Sequence, residues 1–382
     1  MMPAPIIIIG SGFAAYQLVK TLRRTDSQLS IQVFTSDEGN EYNKPDLSHA
    51  FSKQQSVEAL IQLPAAEFAK RYQLELFANT KVESVDTITQ TIAANGQLYP
   101  YSKLVFATGA NTFVPEIKGN NATSIITLNS LVEYRQAQAS INASSSVLIM
   151  GGGLIGVELA MDLRANGKEV IIVEPNSRLL ANVAPDFVAL RLEQQLHEAG
   201  ITLALYDSVM SLNTTEGEAT TTVTSKQGKT FKVDTVISAA GLRANSLLAT
   251  QAGIAVNRGI VVNKQLATSA KNVYAIGDCA EIDGKVTAYL QPIILSANVL
   301  AKQLRDQPAQ LALTPMMVKV KTPAYPIQVG GSFDADSTWK VGFEKQGLVA
   351  EAYNAQHQMT GFVVTDQQLN QAFPLLRKIS GQ

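Results

Sequence analysis

Two places in the chain combine strand-forming apolar residues with glycines at a spacing that can cradle a phosphate. Ile6-Ile7-Ile8-Ile9 runs into Gly10-Ser11-Gly12-Phe13-Ala14-Ala15, and Val147-Leu148-Ile149-Met150 runs into Gly151-Gly152-Gly153-Leu154-Ile155-Gly156. In each, the first glycine (Gly10, Gly151) permits a tight turn and the second (Gly12, Gly153) lets a pyrophosphate approach the backbone. The small third position (Ala15, Gly156) lets the next helix lie close to the strand. That helix offers unpaired N–H groups and the positive end of its dipole to an anion. Each copy also closes alike, with Leu104-Val105-Phe106-Ala107-Thr108-Gly109 and Val236-Ile237-Ser238-Ala239-Ala240-Gly241. Two dinucleotide-binding units follow from this duplication.

Acids at strand ends refine the chemistry. Val170-Ile171-Ile172-Val173-Glu174 is a buried strand ending in a carboxylate about 20 residues past the second set of glycines, the place from which an acid accepts both ribose hydroxyls of NAD. A 2′-phosphate would meet like charge there, so NADH is favoured over NADPH, with Arg178 four residues on as a possible offset. In the first copy the strand Ser30 to Thr35 has no terminal acid, and the ribose contact falls either to Asp37 or to the backbone of Ser36. Val273-Tyr274-Ala275-Ile276-Gly277-Asp278 is a further strand ending in Gly-Asp, at the sheet edge where open α/β sheets bind ligands.

The elements that must position these residues are those of an α/β protein with two Rossmann-like domains. The helix around Gln291 to Ala301 carries a proline near its first turn and is apolar nearly all round, as a buried helix is. From Pro315 the character changes. Met317 to Thr322 alternates like a half-exposed strand, and the tail carries Trp339, Phe343, Phe362 and Phe373, which predicts a small α+β C-terminal domain.

Totals narrow the function. With 382 residues there is room for two or three domains, and a formal net charge of −1 argues against a nucleic-acid binder. The single cysteine, Cys279, excludes an internal disulfide, a Cys-x-x-Cys redox pair and a thiolate metal cage, so electrons moved by this chain must sit on a bound cofactor. No metal site and no G-x-S-x-G elbow is found. The longest apolar runs are strand-length, short of the roughly 20 residues that span a bilayer. Met1-Met2-Pro3-Ala4-Pro5 lacks the basic start of a signal peptide, and a cytoplasmic protein is expected.

The combination of G-S-G-F-A-A, the loop Tyr42-Asn43-Lys44-Pro45-Asp46-Leu47-Ser48, A-T-G-A, G-G-G-L-I-G-V-E-L-A and A-I-G-D-C-A-E resembles the FAD-dependent NADH reductases of rubredoxins, over nearly the whole chain. Within that family the likeness is greatest to the branch that serves flavorubredoxins in anaerobic nitric oxide detoxification. The resemblance implies an NAD unit inserted in an FAD unit: residues 1–113 and 243–318 for FAD, 114–242 for NAD and 319–382 for the C-terminal domain. It implies FAD contacts from Gly10 to Ala15, Ser36, Asp37, Lys44, the backbone of Val82, Ala107, Thr108, Gly109, Gly277, Asp278, Leu290 and Lys321. NAD(H) contacts are implied at Gly151, Gly153 to Gly156, Glu174 and Gly241. Glu158 is implied beside the flavin, between the two cofactors. Where related ferredoxin reductases carry a lysine after the Leu-Ser of the loop, this chain has His49. The implied partner is the rubredoxin domain of a flavorubredoxin, or a free rubredoxin, met by a local basic patch for which Lys44, Lys53 and Lys319 are candidates. Two alternatives stand beside this reading: a reductase of free rubredoxin or ferredoxin, and an NADH-sensing flavoprotein. If Glu174 sets nucleotide preference, Glu174→Ala raises the KM for NADH and narrows the gap to NADPH by about ten- to a hundredfold, measured by steady-state kinetics with both nucleotides.

Overall fold

Four consecutive isoleucines require apolar cover on both sides, and Ile6–Ile9 forms a strand in which no residue exceeds 7% exposure. The computed structural model describes residues 4–381; Met1 to Pro3, part of the stretch on which the absence of a leader was read, lie outside the described residues. The chain divides into two units. The first comprises the chain up to Lys44, with Ser56–Asn111 and Leu242–Leu313. The second comprises Pro45–Gln55, Thr112–Gly241 and the chain from Thr314 on.

In the first unit Ile6–Ile9 lies at the centre of a five-stranded sheet, in the order Val273–Ala275, Lys103–Phe106, Ile6–Ile9, Ile31–Phe34, Glu75–Phe77. All neighbours are parallel, with Ile6 opposite both Ile31 and Lys103. Helix Phe13–Thr25 buries Ala15, Leu18, Val19 and Leu22, and packs along helix Leu290–Gln303, which buries Ile293, Ala297 and Leu300. Val82 starts the strand Val82–Asp86 of a separate three-stranded antiparallel sheet.

The second unit repeats the plan with four parallel strands, in the order Ile201–Leu205, Glu169–Glu174, Ser146–Met150, Thr235–Ser238. Helix Leu154–Ala165 follows the second glycine turn, and helix Asp186–Glu198 leads to the edge strand. The tail is a five-stranded antiparallel sheet, in the order Met317–Val320, Ile327–Gly331, Met359–Thr365, Gly347–Tyr353, Thr338–Glu344. Helix Ala372–Ser380 covers it with Leu375, Leu376 and Ile379 against Phe362 and Val364. On the edge strand Trp339 meets Phe333 at 4.8 Å and Phe187 of helix Asp186–Glu198 at 5.5 Å. The first of these strands ends at Val320, so Lys321 lies beyond it and does not continue the alternation expected to Thr322.

Pro45–Gln55 groups with the second unit. The physical reason is Asp162, 5% exposed, which accepts from the backbone N–H of Phe51 at 2.9 Å and from the N–H and hydroxyl of Ser52. Phe51 is buried 5.2 Å from the ring of Tyr134, whose hydroxyl donates to the carbonyl of Gln55 at 2.8 Å. Among the described residues no helix is long and apolar enough to cross a membrane.

Gly10 has φ +115°, and a Cβ there would stand 2.2 Å from the carbonyl oxygen of Ala107. Gly10→Ala is therefore expected to destabilise the unit by more than the roughly 1–2 kcal/mol of a left-handed non-glycine residue, read as a lower urea midpoint.

Candidate functional site

The two glycine turns sort their glycines by purpose. Gly151, with φ +109°, matches Gly10: its Cβ would stand 2.5 Å from the carbonyl oxygen of Ala239. These first glycines are required by the fold. Gly12 and Gly153, by contrast, are the N-caps of their helices, and a Cβ on either would meet nothing within 4 Å. No side chain caps either helix start. The space beside each turn is thus open, with unpaired N–H groups facing it, which suits the pyrophosphate of a dinucleotide. Gly156 is needed for packing, since its Cβ would fall 2.0 Å from the carbonyl oxygen of Gly151, while the equivalent Ala15 keeps its methyl fully buried.

The residues beside the first turn form a braced network. The hydroxyls of Ser11 and Thr35 and the N–H of Gly39 all donate to Asp37 Oδ1, at 2.9, 2.7 and 2.9 Å. Asp37 Oδ2 has no protein donor among the described residues, and Ser36 is exposed. Across the turn, Asn245 holds the Ala-Thr-Gly segment: it accepts from Thr108 Oγ1 at 2.7 Å and donates to the carbonyls of Thr108 and Gly109, each at 2.9 Å.

Beside the second turn, Glu174 is 5% exposed and heavily engaged. Its Oε2 accepts from the N–H of Gly152 at 2.5 Å, and its Oε1 from the backbone and side-chain amides of Asn176 at 2.8 and 2.6 Å. A carboxylate has about four acceptor positions, so one remains for a further donor. Arg178, read as a possible counter-charge for a 2′-phosphate, is paired with Glu193 at 3.3 Å.

Glu158, on the same helix face as Asp162 one turn later, draws three segments together. Ser48 Oγ donates to its Oε2 at 3.0 Å and the backbone N–H of Lys321 to its Oε1 at 3.1 Å. His49 Nε2 stands 3.3 Å from Oε2, an ion-pair contact when the imidazole is protonated but not aligned as a hydrogen bond. Burial would raise the Glu158 pKa; the contacts with His49, Lys321 and Ser48 outweigh it and hold the carboxyl below its usual range. Lys321 Nζ donates to the carbonyl of Pro45 at 3.2 Å.

Asp278 is the contrasting acid. It lies in the tight turn Gly277–Cys279, and Gly277 has φ +82° with no room for a Cβ beside Ala14. Among the described residues no hydrogen-bond donor meets its carboxylate, and its ion-pair partner is Lys44 at 3.8 Å. Burial pushes its pKa up, and Lys44 only partly offsets this. A mostly buried carboxylate without a donor is suited to accept one from a ligand hydroxyl. Helix Leu290–Gln303 begins after Tyr289 without a side-chain cap, so its first N–H groups are also unpaired by side chains.

Residues 4–304 match the model of the pyridine nucleotide-disulphide oxidoreductases, and residues 310–379 match that of the rubredoxin binding C-terminal domain. The nitric oxide reductase FlRd-NAD(+) reductase of Vibrio vulnificus (strain CMCP6) is 55% identical over 379 residues, 99% of each chain. The chain belongs to the FlRd-NAD(+) reductases of the pyridine nucleotide-disulphide oxidoreductase family. The relative of the same name from Pectobacterium atrosepticum is 44% identical over 380 residues, covering 99% of each chain. Among solved structures, the ferredoxin reductase for the CYP199A2 system from Rhodopseudomonas palustris has a TM-score of 0.88 at 24% identity, covering 97% of this chain and 93% of that one. The covalent putidaredoxin reductase–putidaredoxin complex has a TM-score of 0.90 at 19% identity, covering 99% and 93%. These two show a shared fold.

Several residues that shape a FlRd-NAD(+) reductase site here carry weak sequence signals. Asp162 could have been found as the acid four residues after Glu158 on one helix face; Thr35, Asn245 and Glu193 had no readable pattern. Because the Glu158 pKa is lowered in the folded chain, its contribution to stability is present above the ordinary value of 4.5 and is lost as pH falls below it. Urea midpoints of the wild type should drop in that range, and Glu158→Gln should flatten the drop.

Proposed function

We propose that this chain is an FAD-dependent reductase that takes electrons from NADH and delivers them to a rubredoxin-type iron centre, that of a flavorubredoxin in nitric oxide detoxification. The observation that carries the reading is the union, in one chain, of two open glycine cradles with a match to the rubredoxin binding domain. The full-length relatives named FlRd-NAD(+) reductase support the choice of donor and acceptor. When bound, FAD supplies what the chain's single cysteine cannot: acceptance of two electrons from NADH and their release one at a time.

The residues assign themselves by what they leave free. For FAD, Gly12 leaves space and the helix Phe13–Thr25 leaves N–H groups for the pyrophosphate, with Ser11 and Asp37 bracing the turn. Asp278 takes a ribityl hydroxyl, and Lys44 favours the ionised form of that acid. The start of helix Leu290–Gln303 turns its positive end to the flavin ring. Ala107, Thr108 and Gly109, the backbone of Val82, Ser36 and Lys321 complete the set. For NADH, Gly153 and helix Leu154–Ala165 receive the pyrophosphate, and Glu174 offers its remaining acceptor position to the ribose. Glu158 holds Ser48, His49 and Lys321 in place as a positioning residue. We further place the protein in the cytoplasm.

Of the lysines considered for docking an acidic partner, Lys44 is paired with Asp278, while Lys53 and Lys319 are exposed. Neither nucleic acid nor a membrane is a partner in this reading.

Steady-state NADH oxidation with a panel of purified iron–sulfur acceptors tests the function. The rubredoxin domain of a flavorubredoxin should give the highest kcat/KM; faster turnover of a ferredoxin, or slow reduction with no acceptor turnover, would overturn the assignment. Acceptor turnover should fall steeply between about 10 and 500 mM salt while flavin reduction by NADH changes little, and charge reversal at Lys53 and Lys319 should lower acceptor kcat/KM alone. Asp278→Ala should release FAD at lower denaturant, from loss of a charged hydrogen bond of about 1.5–3 kcal/mol.

A further inference from the structure

Glu174 is not the only charge near the ribose end of the second turn. The chain from Asn176 to Leu180 folds back over that turn and is pinned at three points. The N–H of Asn176 donates to Glu174 Oε1 at 2.8 Å, that of Leu179 to Glu193 Oε1 at 3.0 Å, and that of Leu180 to the carbonyl of Gly152 at 2.9 Å. Arg178 stands within this pinned segment, four residues after the acid, where an arginine can accommodate a 2′-phosphate. Yet its guanidinium is turned to Glu193: Nη1 lies 3.3 Å from Glu193 Oε2 and 3.3 Å from the carbonyl of Ser177. Glu193 comes from helix Asp186–Glu198 and is 8% exposed. One of its oxygens fixes the loop and the other fixes the arginine.

We infer that Glu193 is a second determinant of the preference for NADH, acting through Arg178 by pairing with its guanidinium and holding it away from a 2′-phosphate. This rests on the reading of Gly151 to Gly156 as the NADH site. Two carboxylates, Glu174 and Glu193, stand against one guanidinium, so the local charge is negative and an added phosphate dianion is repelled. Neutralising Glu193 while keeping its shape removes one negative charge and frees the cation. The amide oxygen of glutamine can still accept from Leu179, which separates this role from simple support of the loop. A purely structural role would alter both nucleotides alike, whereas the lock acts on the 2′-phosphate alone.

The test uses the FAD-loaded full chain and two probes, 5′-ADP and 2′,5′-ADP, with affinities measured by calorimetry. Glu193→Gln should tighten 2′,5′-ADP about tenfold, one pKa unit's worth of interaction, and leave 5′-ADP within about twofold. Adding Arg178→Gln to that variant should abolish the gain. A folded Glu193→Gln protein with unchanged affinity for 2′,5′-ADP would overturn the proposal. Arg178→Gln alone supplies an independent arm should Glu193→Gln not fold. With Glu193 then left uncompensated, loss of the guanidinium should weaken 2′,5′-ADP about tenfold while 5′-ADP stays within about twofold, and equal changes in the two affinities would overturn the proposal. Absence of 5′-ADP binding, or binding that does not compete with NADH, would instead remove the nucleotide-site reading beneath the proposal.

Discussion

The close approach of a glycine to the carbonyl of a returning strand is the contact on which both nucleotide units depend. Gly10 lies against Ala107 and Gly151 against Ala239, each too tightly for any Cβ. That approach sets where the strand ends, where the helix begins and which way its unpaired N–H groups face. Gly12 and Gly153 then leave room beside those groups. Each turn and the open space beside it are therefore specified by glycines two residues apart with opposite surroundings: at one a Cβ would strike backbone, at the other it would meet nothing within 4 Å.

Buried and half-buried carboxylates do the rest of the positioning. Asp37, Asp162, Glu174 and Glu193 each accept from backbone N–H groups of loops. Glu158 and Asp162 face the same side of one helix and hold residues 45–55, while Glu158 also takes the N–H of Lys321 from the C-terminal part of the chain. Charge-assisted hydrogen bonds are stronger than neutral ones, which suits them to fixing loops rather than core elements. Asp278 differs because, among the described residues, no hydrogen-bond donor meets its carboxylate and its ion-pair partner is Lys44.

The same logic bears on nucleotide choice. An acid at a strand end is usually read as a free receptor for ribose, but Glu174 first serves Gly152 and Asn176. The charge beside the second turn therefore belongs to a cluster that includes Arg178 and Glu193, not to one side chain.

Local pattern alone determined the strand-glycine-helix units, their duplication, the buried isoleucine strand and the change to a small C-terminal sheet after Pro315, because strand period, glycine spacing and capping are short-range effects. It also marked Glu174, Glu158 and Asp278 as acids worth attention, since each follows directly from a strand or glycine turn. Only the tertiary structure decided what each acid meets. Glu193 lies on helix Asp186–Glu198, 15 residues on from Arg178 in its loop; Asp162 and Phe51 are 111 residues apart, and Ser48 and Glu158 are 110 apart. Such partners carry no periodicity, so nothing in the sequence could show that residues 45–55 group with the second unit, that Lys44 pairs with Asp278, or that Lys321 lies past the end of its strand. Hydrogen bonds between distant segments are set by how the sheets and helices pack, and that packing is what the chain's local preferences leave undetermined.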